Sequence, residues 1–355
     1  MNACLMQVKA VAAAREHDLQ ELKTAIGESE RLRGCLLRIR CAMAQIVTLT
    51  MNPALDIATT TDRVVPTHKL RCEAPRYDPG GGGINVARAT HALGGEALAI
   101  FPAGGAAGEM IQHLLRQEGV AHEAVAIAGF TRESLAVEER QSGEQYRFLL
   151  PGPPISPADQ DRCLNSLAAA ALEAEFIVAS GSLPLGVPDD FYRRVGELAK
   201  AHGKRLVLDT SGAPLKEAGR EIYLLKPSLR ELEDLTERQI HSECEEIVAA
   251  RLLVEQGWSE IVVVSLGARG ALLVTAEEAE RFPAIQVSAK STVGAGDSML
   301  AGIVFGLTQG LRIREAVQFG IAAGAAALLG SGTQLCRRAD VERLYEERWG
   351  RPADR

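Results

Sequence analysis

From Ile46 onward, short continuous apolar runs alternate with helix-like segments, and this alternation constrains the fold more than any other feature. The runs are Ile46–Leu49, Ala97–Phe101, Phe176–Ala179, Arg205–Leu208, Ile222–Leu225, Ile261–Val264 and Ala271–Val274. Between them lie stretches with helical spacing, Asn85–Leu93, Met110–Glu118, Asp159–Ala174, Phe191–Ala201, Cys244–Glu255 and Ser298–Leu307. A strand that is apolar on both sides must be covered on both sides. The pattern therefore predicts a mostly parallel sheet with helices on its two faces. No Pro/Gly/Ser-rich linker divides the stretch, so 45–345 reads as a single α/β domain with 346–355 as a short tail. The segment Ile321 to Leu329 is mostly Ala and Gly and reads as a close-packed internal helix.

Residues 1–44 differ in character. They carry almost no Gly or Pro and follow a loosely helical pattern. Arg15, Glu16, His17 and Asp18 interrupt any signal-peptide core, and the acidic residues argue against a transit peptide. The segment is expected to be a loosely packed or non-native extension, with a chain starting at Met43 folding and working as the full one does. The competing reading is a helical interaction arm.

The net charge of −7 argues against a nucleic-acid partner, whose phosphates require a basic face. A small anionic substrate remains compatible, because a few local cations hold one phosphate. The seven cysteines are scattered and form no Cys-x-x-Cys pair, as expected of reduced thiols in the cytoplasm. No apolar run reaches the roughly 18 residues of a membrane span.

Two segments break the pattern, Ala58–Tyr77 and Ser134–Leu149. The second reads as two strands around Ser142-Gly143. Both alternate like strands with one wet face, and they are expected to form a small separate sheet serving as a lid. Ordinary edge strands would read the same way.

Four segments carry chemistry. Ser291-Thr292-Val293-Gly294-Ala295-Gly296-Asp297 precedes a helix of small and apolar residues. Its glycines uncover amide N–H groups at a helix N-terminus, a place that favours an anion. Asp297 beside it can take a proton from a hydroxyl. On this segment alone a helix N-cap is the commoner role for such an Asp. Gly80, Gly81, Gly82 and Gly83, followed by Asn85, let the backbone approach a polyhydroxylated ligand, although a flexible turn reads alike. Lys69 and Arg71, two apart on one strand face, can grip a phosphate together with Arg132, although solvated surface cations are the default. Ser265-Leu266-Gly267-Ala268-Arg269-Gly270 follows a strand, where open α/β sheets bind ligands; a plain hairpin fits too. There is no Gly-x-x-x-x-Gly-Lys-Ser/Thr, no Gly-x-Ser-x-Gly and no His-Glu-x-x-His.

In this order the four segments resemble the ribokinase-like (PfkB-type) carbohydrate kinases, from about Ile46 to about Tyr345. Within that family the chain is most similar to the bacterial minor-isozyme 6-phosphofructokinases. The likeness rests on His68–Cys72, Pro79–Asn85, Phe101–Gly105 and Ser142–Phe148. Relatives acting on fructose 1-phosphate or tagatose 6-phosphate usually carry a lysine in the glycine run, where this chain has Gly82.

The resemblance implies a three-layer α/β/α sandwich with a β lid, paired between subunits as a homodimer. The implied activity is ATP-dependent phosphorylation of fructose 6-phosphate at the 1-hydroxyl. Asp297 would be the base, and Gly294, Ala295 and Gly296 the anion hole. Asp56, Gly81, Gly82, Gly83 and Asn85 would hold the sugar. Lys69, Arg71, Arg132 and Ser180 would lie near its phosphate, with Lys69 also reaching toward ATP. Lys226, Ser228, Ser265, Gly267 and Gly270 would contact the nucleotide, and Glu231 would organise Mg²⁺ through water. K⁺ is a further expected cation, near Ser291 and Gly330-Ser331-Gly332. One departure stands out: Ser228 replaces the family's Asn in the Asn-x-x-Glu segment, which is expected to weaken Mg²⁺ or ATP handling. The alternatives are a tagatose-6-phosphate kinase, a 1-phosphofructokinase, or a non-catalytic sugar-phosphate sensor.

Overall fold

The computed structural model describes residues 44–330 and 332–350. Expectations for residues 1–43, Ser331 and the end of the tail lie outside them.

The chain enters on β1 (Ile46–Leu49), then leaves it for β2 (Ala54–Thr61) and β3 (Arg76–Gly80). After α1 (Gly82–Ala92) come β4 (Ala97–Ala103), α2 (Gly105–Glu118), β5 (Ala121–Ala126), β6 (Arg132–Glu139) and β7 (Gln145–Leu149). The middle third runs α3 (Pro157–Ala171), β8 (Phe176–Ser180), α4 (Phe191–Ala201), β9 (Arg205–Asp209), α5 (Ala213–Lys216), β10 (Ile222–Leu225), α6 (Leu229–Thr236) and α7 (Glu243–Glu255). Then follow β11 (Ser259–Ser265), a 3₁₀ turn (Gly267–Arg269), β12 (Ala271–Val274), β13 (Ala279–Phe282), α8 (Ala295–Thr308), α9 (Ile313–Leu328) and α10 (Arg338–Trp349).

Nine strands form one sheet in the order β13-β12-β11-β10-β9-β8-β1-β4-β5, parallel except for β12 and β13. Alternate residues of each strand face opposite layers. Ile46, Ala99, Phe101, Phe176, Val178, Val207, Leu224 and Val263 share a core with α1, α2, α8 and α9. Their neighbours Val47, Ile177, Leu206, Leu208, Val262 and Val264 are buried outside that core, on the side of α3, α4 and α7. The predicted α/β/α layering is therefore present. α8 and α9 approach closely because Gly302 meets Ala323 and Gly320; a Cβ added at Gly302 would lie 2.8 Å from the Ala323 Cβ.

The two segments that break the alternation form a second sheet, β3-β2-β6-β7, with the hairpin of β6 and β7 turning at Ser142-Gly143. Its bounds differ from the prediction. β2 begins at Ala54, and the chain from 62 to 75 holds no strand. Lys69 and Arg71 thus lie on an irregular, exposed segment rather than on one strand face. That segment is tied to β2 by Glu73 N–H donating to Thr60 O (2.9 Å) and Thr61 Oγ1 donating to Arg71 O (3.2 Å). Strands β5 and β13 were not legible as apolar runs. Both lie at sheet edges, where one side stays wet and residues such as His122, Glu123 and Glu280 are tolerated. Helix α10 runs across the expected tail boundary at 346, because Val341, Leu344 and Tyr345 bury its inner face.

Gly270, at φ +97, closes the turn after β11, and a Cβ there would lie 1.9 Å from Phe282 O. Gly270→Ala meets both backbone strain and backbone contact. It should cost roughly 2–3 kcal/mol, lowering the melting temperature by roughly 3–5 °C in a thermal unfolding scan. An unshifted melt would mean that the turn yields freely.

Candidate active site

Strand order reverses beside β1, whose chain continues to β4 on one side while β8 pairs with it on the other. Such a reversal opens a crevice at the carboxyl ends of the strands. Thr50 follows β1, Ser180 ends β8, Asp209 ends β9 and Lys226 follows β10. A cavity of about 260 Å³ opens there, lined by Gly82, Ser180, Gly181, Asp209, Glu231 and Asp297 among others. A larger groove of about 1120 Å³ lies at the opposite ends of the strands, between residues such as Lys204, Arg220 and Arg312, and contains none of the predicted site residues.

The glycine run is shaped by its neighbours. A Cβ at Gly80 would lie 2.2 Å from Asp56 Oδ2, one at Gly82 2.2 Å from Ser180 Oγ, and one at Gly83 2.6 Å from Thr50 Oγ1. Gly81 sits at φ +115, open to glycine alone without strain. The run is therefore a close-packed floor and not a flexible turn. It joins the end of β3 to α1 directly below Asp56 and Ser180. Thr50 Oγ1 accepts from Ile84 N–H (2.8 Å), fixing where α1 starts.

Gly294, at φ +74, is the N-cap of α8, and Asp297 is its third residue. The N-cap reading of Asp297 is thus corrected: the cap position belongs to Gly294, and among the described residues no side-chain cap hydrogen bond closes the start of α8. The N–H groups of Ala295, Gly296 and Asp297 are among the donors that a helix leaves without intrahelical partners. Asn85 Nδ2 donates to Asp297 Oδ2 (2.9 Å) from α1, bringing the two predicted motifs together. Burial, and then the charge of Asp209, push the Asp297 carboxyl up to about 6 against the pull of Asn85 and Lys226. Burial likewise pushes Asp56 up to about 6, opposed by Arg132, Arg147 and Arg88.

Lys226 is 5% exposed and lies 3.0 Å from Asp209 Oδ2. Burial works against its charge, but Asp209, then Asp297 and Glu231, outweigh that and hold it above the usual lysine value. A Cβ built on Gly296 would stand 3.7 Å from Lys226 Nζ, so the ammonium faces the open amides of α8.

Ser228 and Glu231 form a capping box at the start of α6. Ser228 Oγ accepts from Glu231 N–H (3.3 Å), and Glu231 Oε2 accepts from Ser228 N–H (2.7 Å). Ser228 also bridges to Ser265, whose N–H donates to Pro227 O (2.8 Å). Lys226, Ser228 and Ser265 thereby adjoin, with Gly267 and Gly270 in the turn beyond. Ser228, which stands where the family has Asn, thus caps α6, a task that Asn performs equally well.

Arg132, the first residue of β6, donates through Nη2 to Asn52 O (3.2 Å) and through Nη1 to Leu150 O (3.4 Å). Its Nε and the nearby Asn52 Oδ1 are buried without a partner among the described residues. Asn52 Nδ2 donates to Ser182 Oγ (3.1 Å), which follows Ser180. Near the predicted cation loop, Ser291 Oγ donates to Gly332 O (2.6 Å).

Sequence reasoning missed Asp209, Thr50, Asn52, Ser182 and Arg88. Asp209 was findable, because it directly follows the predicted strand Arg205–Leu208 at the carboxyl edge where ligands bind. Arg88 was not, since a buried cation three residues along a helix looks like any surface arginine. Among the described residues no trio of His, Cys, Asp or Glu forms a metal-ligand group, and no helix is long and apolar enough to cross a membrane.

The sequence and the fold have relatives among known proteins. ATP-dependent 6-phosphofructokinase isozyme 2 of Mycobacterium tuberculosis is 51% identical over 302 residues, covering 85% of this chain and 89% of the relative. Its Escherichia coli namesake is 43% identical over 305 residues, covering 85% and 98%. The crystal structure of Escherichia coli phosphofructokinase-2 in complex with fructose-6-phosphate superposes with a TM-score of 0.81 at 40% identity, covering 86% of this chain and 99% of that one. The potassium complex of the same enzyme gives 0.82 at 42% identity, with the same coverage. The model of the pfkB family carbohydrate kinases matches residues 49–340, and to that family this chain belongs.

Proposed function

We propose that this protein transfers the γ-phosphoryl group of ATP to the 1-hydroxyl of fructose 6-phosphate. The observation that carries the proposal is Asp297. It is a carboxylate with raised proton affinity, placed at the uncapped N-terminus of α8 and held by Asn85 from the glycine-rich floor. A base beside open amides serves a reaction that takes a proton from a hydroxyl while negative charge develops next to it.

Asp297 accepts the hydroxyl proton, and the amides after Gly294 meet the transferring phosphoryl oxygens with Lys226 alongside. Asp56 and Asn85 bind sugar hydroxyls above the floor of Gly81, Gly82 and Gly83, with Ser180 at its edge. Arg132, with a spare buried Nε, takes the sugar phosphate, and Lys69 and Arg71 reach it from the irregular segment. Ser265, Gly267 and Gly270 line the nucleotide side. Glu231 and Asp209 on the cavity wall suit a Mg²⁺ held mainly by phosphates and water, with Glu231 ordering that water. Bound there, Mg²⁺ neutralises charge on the phosphates. The carbonyl of Gly332 near Ser291 is a ligand of the kind K⁺ takes.

The second sheet acts as a lid that excludes water, which would otherwise accept the phosphoryl group. Its outer face exposes Tyr77, Leu135 and Phe148, and among the described residues its edges β3 and β7 have no further strand beside them. An apolar face with free edges suits pairing with a second copy, hence a homodimer through the lid. A tetrameric inhibited form is described for Escherichia coli phosphofructokinase-2, so a larger assembly is an outcome to watch. The unpaired thiols Cys72, Cys163, Cys244 and Cys336 suit the cytoplasm. The sensor alternative drew on Ser228 alone, and the capping box gives that residue an ordinary task.

The test is ATP turnover with Mg²⁺ on fructose 6-phosphate, fructose 1-phosphate and tagatose 6-phosphate, side by side. Fastest turnover on fructose 6-phosphate is expected. A preference for either other sugar would keep the mechanism and move the substrate, and binding without turnover would revive the sensor.

A further inference from the structure

Arg88 is 7% exposed on α1, yet it is a full positive charge. Its guanidinium is directed at every edge. Nε and Nη2 donate to the two oxygens of Glu118 (2.7 Å each), Nη1 donates to Pro79 O (2.8 Å), and Nη2 lies 3.5 Å from Asp78 Oδ1. Nη1 also points at Asn85 Oδ1, 3.5 Å away, one helical turn back on the same face. Asn85 is thus set between a cation and a carboxylate. Arginine has no acceptor and an ionised Asp297 has no donor. Only one orientation of the amide satisfies both: carbonyl toward Arg88, NH₂ toward Asp297.

We propose that Arg88 is a positioning residue for the phosphoryl transfer, fixing the Asn85 amide so that its NH₂ and not its carbonyl faces Asp297. Without Arg88 the amide rotates. A carbonyl then faces the carboxylate, which favours the protonated acid and leaves fewer molecules with a free base at neutral pH. The same guanidinium holds Pro79 O and neighbours Asp78. Asp78 accepts from Arg76 Nη2 (2.6 Å) and from Thr333 Oγ1, so the base is linked to the lid strand β3 and to the loop after α9.

Other charges face these groups. Asp209 from β9, Lys226 after β10 and Asp56 from β2 act on Asp297. Glu118 from α2 and Asp78 from β3 face Arg88, whose charge also reaches Asp56. A direct effect of Arg88 on Asp56 must therefore be separated from one routed through Asn85.

The inference rests on Asp297 as the base, so the experiment includes D297N. Wild type, R88M, R88K, N85A, N85A/R88M and D297N are compared by kcat/KM between pH 5.5 and 9 and by thermal melts. R88M should lower kcat/KM by roughly threefold at pH 6.5 and by roughly eightfold at pH 5.5. Its acid limb should move up by about one pH unit, and the deficit should narrow toward pH 9. R88K keeps the charge on a single nitrogen and should fall between R88M and wild type; it carries the test if R88M does not fold. In the N85A background, R88M should add less than about twofold, because the amide it orients is gone. A deficit equal at every pH, or one that persists undiminished with N85A, overturns the role of Arg88. Wild-type turnover by D297N removes the base, and this inference with it.

Discussion

Asp297→Asn should lower turnover by about 10²–10⁴-fold while leaving the fold intact. An amide still fills the space and still meets Asn85, but it accepts no proton from a sugar hydroxyl. Steady-state kinetics with ATP and the preferred sugar phosphate read this directly, and an unchanged kcat would remove Asp297 from the chemistry. The pH profile of the wild type belongs to the same prediction. The base works only when ionised, and burial with Asp209 sets it at about 6, so kcat/KM should fall as pH drops through about 6. Asp56 is also set at about 6 and should steepen that limb.

Stability should move the other way. An Asp raised from 3.8 to about 6 binds more protons folded than unfolded between those values. Its contribution to stability is fully present below about 4 and is lost as pH rises to about 6. At pH 8 the charged Asp297 therefore weakens the fold, and Asp297→Asn should melt higher than the wild type there but not at pH 4. Loss of the charge that faces Lys226 will reduce this gain.

Lys226→Met should be the most destabilising single change in the site. The ammonium is buried and neutralises Asp209 at 3.0 Å, with Asp297 and Glu231 beyond. Removing the buried partner leaves Asp209 charged and unmatched at the cavity wall, where its partial exposure limits the cost to about 2–3 kcal/mol. Denaturant unfolding at pH 7.5 should show this loss. Adding Asp209→Asn should recover most of it, because the orphaned charge is then gone. Strictly additive losses would mean that the two side chains do not act as a pair. Turnover should also fall, since the cation beside the α8 amides is absent.

Most of the fold was written in local sequence. A central strand must be apolar on both sides, and that signal is continuous along the chain; every run read as a strand is one. Edge strands β5 and β13 escaped because an edge admits polar residues. Lys69 and Arg71 were misplaced because alternation alone does not distinguish a strand from an extended segment with sparse hydrogen bonds. The glycine run and the Gly-Ala-Gly-Asp segment were visible as motifs, and their order along the chain carried the likeness to the carbohydrate kinases.

The sequence by itself determined the layers, the parallel sheet and the two glycine-rich motifs beside Asn85 and Asp297. Each of these depends on residues close together in the chain or on a motif of fixed spacing. Only the tertiary structure decided which distant residues set the chemistry. Asp297 meets Asn85 across 212 residues, Asp209 and Lys226 fix its charge from neighbouring strand ends, and Thr333 reaches Asp78 from 255 residues away. Ser228 likewise became a helix cap once its partner was seen. Burial and charge pairing depend on distance in space, and chain order does not encode that distance.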